Sequence, residues 1–376
     1  MPIELSVHDR PAEPKRIPAV VVRRQIEAVL SAWGMRGEPL AVTAAAMLET
    51  DLLGIDSHGV SMLILYDKMQ KAGQLRPNAE PRILRESAAT ALIDAGAGLG
   101  HYPSVTAMRL AIAKAKAHDV GVVSVVNSHH HGALRIYAEM AAREGLLAMV
   151  ASSSRIITQV PTFGAEPVLG TNPFAFAAPC RKYPPIVLDM ATSVVAANKV
   201  KVYAFAGKDI PRGWVVDAGG RPVTSSEEAN RLLFAGGEGG LNPVGGGGKE
   251  LGGHKGYGLA VFAQIFASTL GGGSFSPIRN RTQKGSDPDN IGHFFMALNP
   301  AAFRPLDDFL DDMDALSETL RASRPVDPGR PVLMPGDPEV AARAERERDG
   351  IPMPASLREV IRDIAAAAGA DYLLGD

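Results

Sequence analysis

Val120-Gly-Val-Val-Ser-Val-Val126, running on into Asn127-Ser-His-His-His-Gly132, reads as a short buried strand that leaves its sheet and enters a helix. Its β-branched residues favour a pleated, packed surface. The neighbouring segments repeat the alternation. Thr90–Asp94 reads as a strand, and Ser104–Asp119 as a helix with Val105, Met108 and Ile112 inward. Gly132–Glu144 reads as a helix and Leu146–Ser152 as a strand. Further strands are expected at Phe174–Ala178, Ile186–Asp189 and Ile291–Asn299, with an apolar helix at Gly256–Leu270. This is the grain of a mixed α/β domain.

Outward from that middle the pattern is helical. Val22, Ile26, Val29, Leu30 and Trp33 recur at helical spacing, and Gly34 is a stop signal. A second helix is expected over about 40–53, ended by Gly54. A third begins near Ser57 as N-cap, with Met62, Leu65, Tyr66 and Met69 on one face. Towards the C-terminus, Pro305–Ala322, Pro338–Arg348 and Ser356–Ala368 read as helices, with a Pro-rich connector over Val326–Pro335. The expected architecture is a discontinuous helical domain, 16–78 with 300–376, around an α/β domain, 79–299. The Gly-dense stretch 236–253 is expected to be a flexible surface loop.

The 376 residues are 46% hydrophobic and 21% charged, an ordinary soluble composition long enough for two cores. A net charge of −2 gives no field that implies nucleic acid or an anionic membrane. The 39 Gly and 28 Pro are not periodic, which excludes collagen-like and repeat architectures. Cys180 is the only cysteine, so no intrachain disulfide forms. It is read as an inert thiol. Met1–Lys15 has no apolar core of a signal peptide, and no uncharged stretch is long enough to span a bilayer. The expected compartment is the cytoplasm.

Five short motifs carry chemistry. Gly96-Ala-Gly-Leu-Gly100 follows a strand, but its spacing is not that of a dinucleotide fingerprint, and a plain loop is the better reading. His129–His131 point in different directions, which argues against one metal ion. They stand either as a structural run or with one histidine facing a substrate at the end of a strand. Asp56-Ser57-His58-Gly59 places a histidine at the start of a helix, where the dipole attracts anions and disfavours imidazolium. Such a histidine is either structural or an acid–base group. Asp189 at a strand end either caps a helix, as Thr192 or Ser193 could, or lines a site. Lys255, in His254-Lys-Gly-Tyr-Gly258, is either solvated or an anion contact near a helix N-terminus.

Taken together, Gly54–Val60, Ser128–Ala133, Leu169–Phe174, Val187–Ser193, Ile210–Trp214, Lys255–Leu259 and Pro335–Glu339 resemble the type-2 malate/L-lactate dehydrogenase family. That group includes ureidoglycolate, sulfolactate and diketogulonate enzymes and reductases of cyclic imino acids. The resemblance runs from about residue 17 to the end. It implies a non-Rossmann α/β cofactor domain, a helical domain built from both chain ends, and a homodimer. It implies hydride transfer between NAD or NADP and a small 2-oxo or 2-hydroxy acid, carbonyl or imine. Carried over, His58 is the acid–base, with Ser57 and Asp189 as partners and His130 as a second active-site histidine. The cofactor would touch Gly132, Ala133, Ser154, Leu188, Asp189, Met190, Ala191, His254, Lys255, Asp337, Pro338 and Glu339. Met62, Tyr66 and Thr171 would face the substrate, and no metal is implied. Two residues depart from the pattern: Met62 stands where the family has a carboxylate-binding Arg, and His131 where it has a hydrophobic residue. The other reading is a relative that binds a ligand without turning it over.

Overall fold

The computed structural model describes residues 14–205, 207–234 and 238–375. The readings made for residues 1–13 and for Gly236 and Gly237 lie outside those described. In chain order the elements begin with β1 (Lys15–Ile17), α1 (Ala19–Ala32), α2 (Gly37–Leu52) and α3 (Leu63–Lys71). There follow β2 (Arg82–Glu86), β3 (Thr90–Asp94), α4 (His101–His118), β4 (Val120–Ser128), α5 (Arg135–Ala142) and β5 (Leu147–Ser152). Next come β6 (Phe174–Ala178), β7 (Ile186–Met190), α6 (Ala197–Phe205), β8 (Val215–Asp217), β9 (Pro222–Val223), α7 (Ser226–Phe234) and β10 (Gly239–Leu241). The chain closes with α8 (Gly253–Gln264), α9 (Ser276–Thr282), β11 (Ile291–Leu298), α10 (Leu306–Arg321), α11 (Asp337–Asp349), β12 (Ile351–Met353) and α12 (Ala355–Ala368).

Two compact units result: one takes the described residues up to Lys68 and from Pro338 on, the other Met69–Asp337. In the smaller unit Val22, Ile26, Val29 and Leu30 form the buried stripe of α1, as their spacing requires. Strand β1 pairs antiparallel with β12, Ile17 opposite Ile351. Gln25 is fully buried; its amide donates to Asp371 O at 3.0 Å and its oxygen accepts from Leu373 N, which ties down the C-terminus.

The larger unit holds a mixed sheet in the order β2-β3-β4-β11-β5-β6-β7. Among these only β3 and β4 run parallel, joined by the crossover helix α4; the other pairs are antiparallel. That is not the open parallel sheet of a Rossmann domain. Alternation along β11 serves two layers. Phe295 meets Tyr137 of α5 edge-on, with centroids 5.9 Å apart. Phe294 faces the other way and packs with Ala151, Ala263 and Ala267. A second small sheet, β10-β8-β9, covers its own core of Val200, Ile210, Val215, Leu232 and Leu241 with α6 and α7.

Four expectations differ from this structure. The third helix does not start at Ser57: a 3-10 turn covers Val60–Met62 and α3 opens at Leu63, because the Ser57 hydroxyl engages His58 and caps no helix. The helix expected from Gly132 opens at Arg135, since Gly132 has φ 78°. The unit boundaries fall at 68 and 338 rather than 78 and 300. Helix α10 stays with the sheet because Asp314 Oδ1 accepts the Arg181 and Lys182 N–H groups at 3.0 and 3.1 Å. The described part of the Gly-dense stretch is divided: 239–243 are buried, whereas 247 and 249–251 are exposed as a surface loop would be, and two close backbone approaches pin its end. A Cβ on Gly253 would lie 1.8 Å from Gly246 O, and one on Gly256 2.2 Å from Val244 O.

Candidate active site

The turn that carries His58 is built at the end of α2. Gly54, at φ 79°, stops the helix, and the His58 N–H closes a turn on Ile55 O at 3.0 Å. Ser57 Oγ lies 2.7 Å from His58 Nδ1. Burial pushes the His58 imidazole below its ordinary value, so the neutral ring dominates at pH 7. From α11, Arg346 donates to Asp51 O at 2.7 Å and forks onto the Asp56 carboxylate. Arg343 pairs with Glu49. Met62 and Tyr66 are buried on the same segment, at 9% and 0% exposure.

Beneath the turn sits a residue that motif reading passed over. The Asp51 side chain accepts the Val60 N–H at 2.8 Å and is 2% exposed. A Cβ on Gly59 would fall 1.9 Å from Asp51 Oδ1. Glycine at 59 is therefore a consequence of the carboxyl below it. One signal was in the sequence: an acid in the last turn of a helix opposes the dipole.

In the larger unit one rim of the sheet gathers the motifs of 128–133, 169–174 and 187–193. Strands β4, β5 and β7 end there, and β6 and β11 begin there. The register makes this explicit: Ile291 faces Ser128, His293 faces Ser152, and Phe174 faces both Ala151 and Met190. The Gly96–Gly100 loop joins them, with Gly100 N donating to His130 O at 3.0 Å. It is a loop entering α4 and no fingerprint.

The three histidines part company. His129 is fully buried between Asp289 Oδ2 and Gln74 O, each 3.1 Å away. Asp289 also accepts from Arg155 Nε at 2.8 Å and Arg279 Nη2 at 3.1 Å. His131 stacks on His293, with centroids 3.9 Å apart, and on Tyr137 at 5.1 Å. His293 bridges Ser152 and Ser128, and burial pushes it down to about 3. His130 alone of the three is half-buried, and its Nδ1 accepts the Gly132 N–H at 3.3 Å.

Beside them Asp189 Oδ2 accepts the Arg135 N–H at 2.9 Å, at the start of α5. Capping is thus one of its tasks, on a helix remote in sequence rather than on its own. Thr192 and Ser193 bond instead to Thr171 O and Val195 O. Ser154 Oγ and Thr171 Oγ1 lie 3.2 Å apart, and Asn172 closes the pair by exchanging hydrogen bonds with Ser154. Leu188, Met190 and Ala191 are half-buried along the same rim, and Ala133 is buried. Val244 N donates to Thr192 O at 2.9 Å, which brings up the loop leading to α8. His254 and Lys255 are exposed in the first turn of α8, which carries no acid. The Asp337 carboxylate is engaged by Arg321 and by Met334 N, which holds it below the usual carboxylate range. Pro338 and Glu339 follow it into α11. Among the described residues no three His, Cys, Asp or Glu side chains group as metal ligands, and no helix is long and apolar enough to cross a membrane.

Comparison with known proteins places the chain. Residues 17–362 match the model of the malate/L-lactate dehydrogenase family. Malate dehydrogenase of Pyrococcus horikoshii is 38% identical over 95% of this chain and 97% of its own. A Delta(1)-pyrroline-2-carboxylate/Delta(1)-piperideine-2-carboxylate reductase of Pseudomonas putida is 34% identical over 69% of this chain and 72% of its own. The crystal structure of malate dehydrogenase from Entamoeba histolytica superposes with a TM-score of 0.90 at 29% identity, covering 96% of this chain and 99% of that one.

Proposed function

The chain belongs to the malate/L-lactate dehydrogenase family and is an oxidoreductase, and on that footing we propose that His58 is its acid–base group in the interconversion of a small 2-hydroxy acid with its 2-oxo form, or of a cyclic imine carboxylate with its amine. The observation that carries this is the Ser57 Oγ–His58 Nδ1 contact of 2.7 Å around a ring that burial keeps neutral. With Nδ1 donating to the Ser57 hydroxyl oxygen, the basic lone pair of the neutral ring sits on Nε2. A neutral imidazole can take the hydroxyl proton of a 2-hydroxy acid, and the imidazolium returns it in the reverse direction.

A nicotinamide dinucleotide, NAD or NADP, fits the rim of the larger unit. Gly132 at φ 78° turns the chain there, and Gly170 lets the backbone close onto Ser154, whose Cβ would lie 2.2 Å from a Cβ at 170. Lys255 and His254 at the start of α8 offer a positive end for its phosphates. The half-buried Leu188–Ala191 strand end and the Ser154–Thr171 hydroxyls suit its uncharged parts. When bound, the cofactor supplies or accepts the hydride. The chain holds the reactants in register and excludes water. Pro338 and Glu339 are assigned to the same loop, and His130 to the substrate side. The test is to titrate NADH and NADPH by fluorescence, then follow loss of nicotinamide absorbance with 2-oxo acids and cyclic imino acids. Binding with no turnover across the panel would favour the non-catalytic reading.

The lone thiol of Cys180 suits a reducing cytoplasm, and a homodimer is proposed from family membership; a monomeric mass in sedimentation at micromolar concentration would count against the dimer. Met62 sets the substrate. A buried thioether suits an apolar or neutral ligand face better than a carboxylate. Malate and lactate are therefore expected to turn over with kcat/KM below about 10⁴ M⁻¹s⁻¹. Met62→Arg should raise both relative to the native substrate. Efficient wild-type turnover of either would show that another cation takes the carboxylate.

A further inference from the structure

We propose that Asp51 is a positioning residue for His58: its buried carboxyl, packed against the α-carbon of Gly59 and bonded by the Val60 N–H, holds the turn that carries the imidazole. The inference rests on the acid–base reading of His58.

Three observations support it. The acceptor bond from Val60 N is 2.8 Å long and the residue is 2% exposed, so water cannot replace it. The contact at Gly59 leaves no room for a Cβ, so the carboxyl and the residue after His58 have no slack between them. The last turn of α2 is a poor place for an acid, and packing alone would be served by leucine.

The same carboxyl gives the clamp a pH dependence. Burial raises Asp51 from 3.8 to about 8. The charged groups facing it are Asp56 on the turn, which opposes ionisation, and Arg346 from α11, which favours it. Arg346 is already forked onto Asp56. Below pH 8 the carboxyl is therefore neutral and keeps its place. Above it, a carboxylate forms in a site with little water, and relief requires the turn to open. The stability this carboxyl contributes is complete below the ordinary carboxylate value of 3.8, declines as pH rises above it, and is fully lost once pH passes about 8.

The experiment uses the full chain labelled with ε1-¹³C histidine, with the His58 resonance identified by its loss in His58→Ala. In the wild type this resonance should show an inflection near pH 8, and the Asp51 contribution to Tm should decline from about pH 4 and level off above about pH 8. Asp51→Asn keeps an acceptor for Val60 N but cannot ionise. It should abolish the inflection, flatten that decline in Tm, and keep most of kcat at pH 7. Asp51→Leu removes the acceptor and should cut kcat by about 100-fold, the cost of a small misplacement at the reacting centre, with NADH affinity unchanged. The kcat probe is oxaloacetate or Δ1-piperideine-2-carboxylate, whichever turns over. An inflection that survives in Asp51→Asn, or a full kcat in Asp51→Leu, overturns the proposal. Should Asp51→Leu fail to fold, the Asp51→Asn resonance still decides. Full turnover in His58→Ala, with the inflection still dependent on Asp51, would remove the catalytic reading and leave the clamp standing.

Discussion

Replacing His58 with alanine should lower kcat by roughly 10²–10⁴-fold, the range for loss of a positioned acid–base group. NADH affinity should stay near that of the wild type, because the residues proposed to hold the cofactor lie on other segments. The effect should also depend on direction. Burial holds the imidazole below 6.5. Oxidation of a hydroxy acid needs the neutral ring, so its kcat/KM should rise with pH through that lowered value and hold until the Asp51 clamp opens near pH 8. Reduction needs the imidazolium and should decline over the same interval. Both limbs should vanish in the variant. Stopped-flow turnover and nicotinamide fluorescence together measure this, and an unimpaired kcat would retire His58 from the role.

The largest loss of stability is expected from Asp289→Ala. One carboxylate serves His129, Arg155 and Arg279. The Arg279 side chain is only 3% exposed and the His129 side chain 0%. Removing the acid strands a buried guanidinium, which costs about 3–5 kcal/mol when one partner of a buried pair is deleted. Urea unfolding should report that loss, and a change under about 1 kcal/mol, the scale of an exposed pair, would mean the network relaxes into water. The wild type should show the same dependence in acid. Asp289 lies below its ordinary 3.8, so its contribution is present above that value and is lost as pH falls through the lowered one. His293, held neutral by burial down to about 3, adds a loss that develops from pH 6.5 downward.

Much of the scaffold could be read from the chain. Thr90–Asp94 and Phe174–Ala178 form strands with the expected ends, and α4, α10 and α12 lie within three residues of theirs. Each of these buries a stripe or alternates across a packed face, and burial leaves a period in the sequence. Strand β2 is exposed along its whole length and so leaves none. The strands β8–β10 are too short to show one.

The candidate site divides in the same way. Its motif residues were legible, because glycines, histidines and acids in tight turns keep their spacing. Which of three adjacent histidines stays half-exposed was not. His129 is buried by Asp289, 160 residues away, and His131 by the rings of Tyr137 and His293. Asp51 left a single signal, an acid in the last turn of a helix, and only its contacts with Gly59 and Val60 mark it as the support of the His58 turn. The sequence by itself therefore determined the periodic elements and the chemical groups available, since these follow from local periodicity and local spacing, and its motifs carried the resemblance to the family. Only the tertiary structure decided strand order, the gathering of motifs on one rim and which polar groups are buried, because each depends on partners that the chain supplies from far along its length.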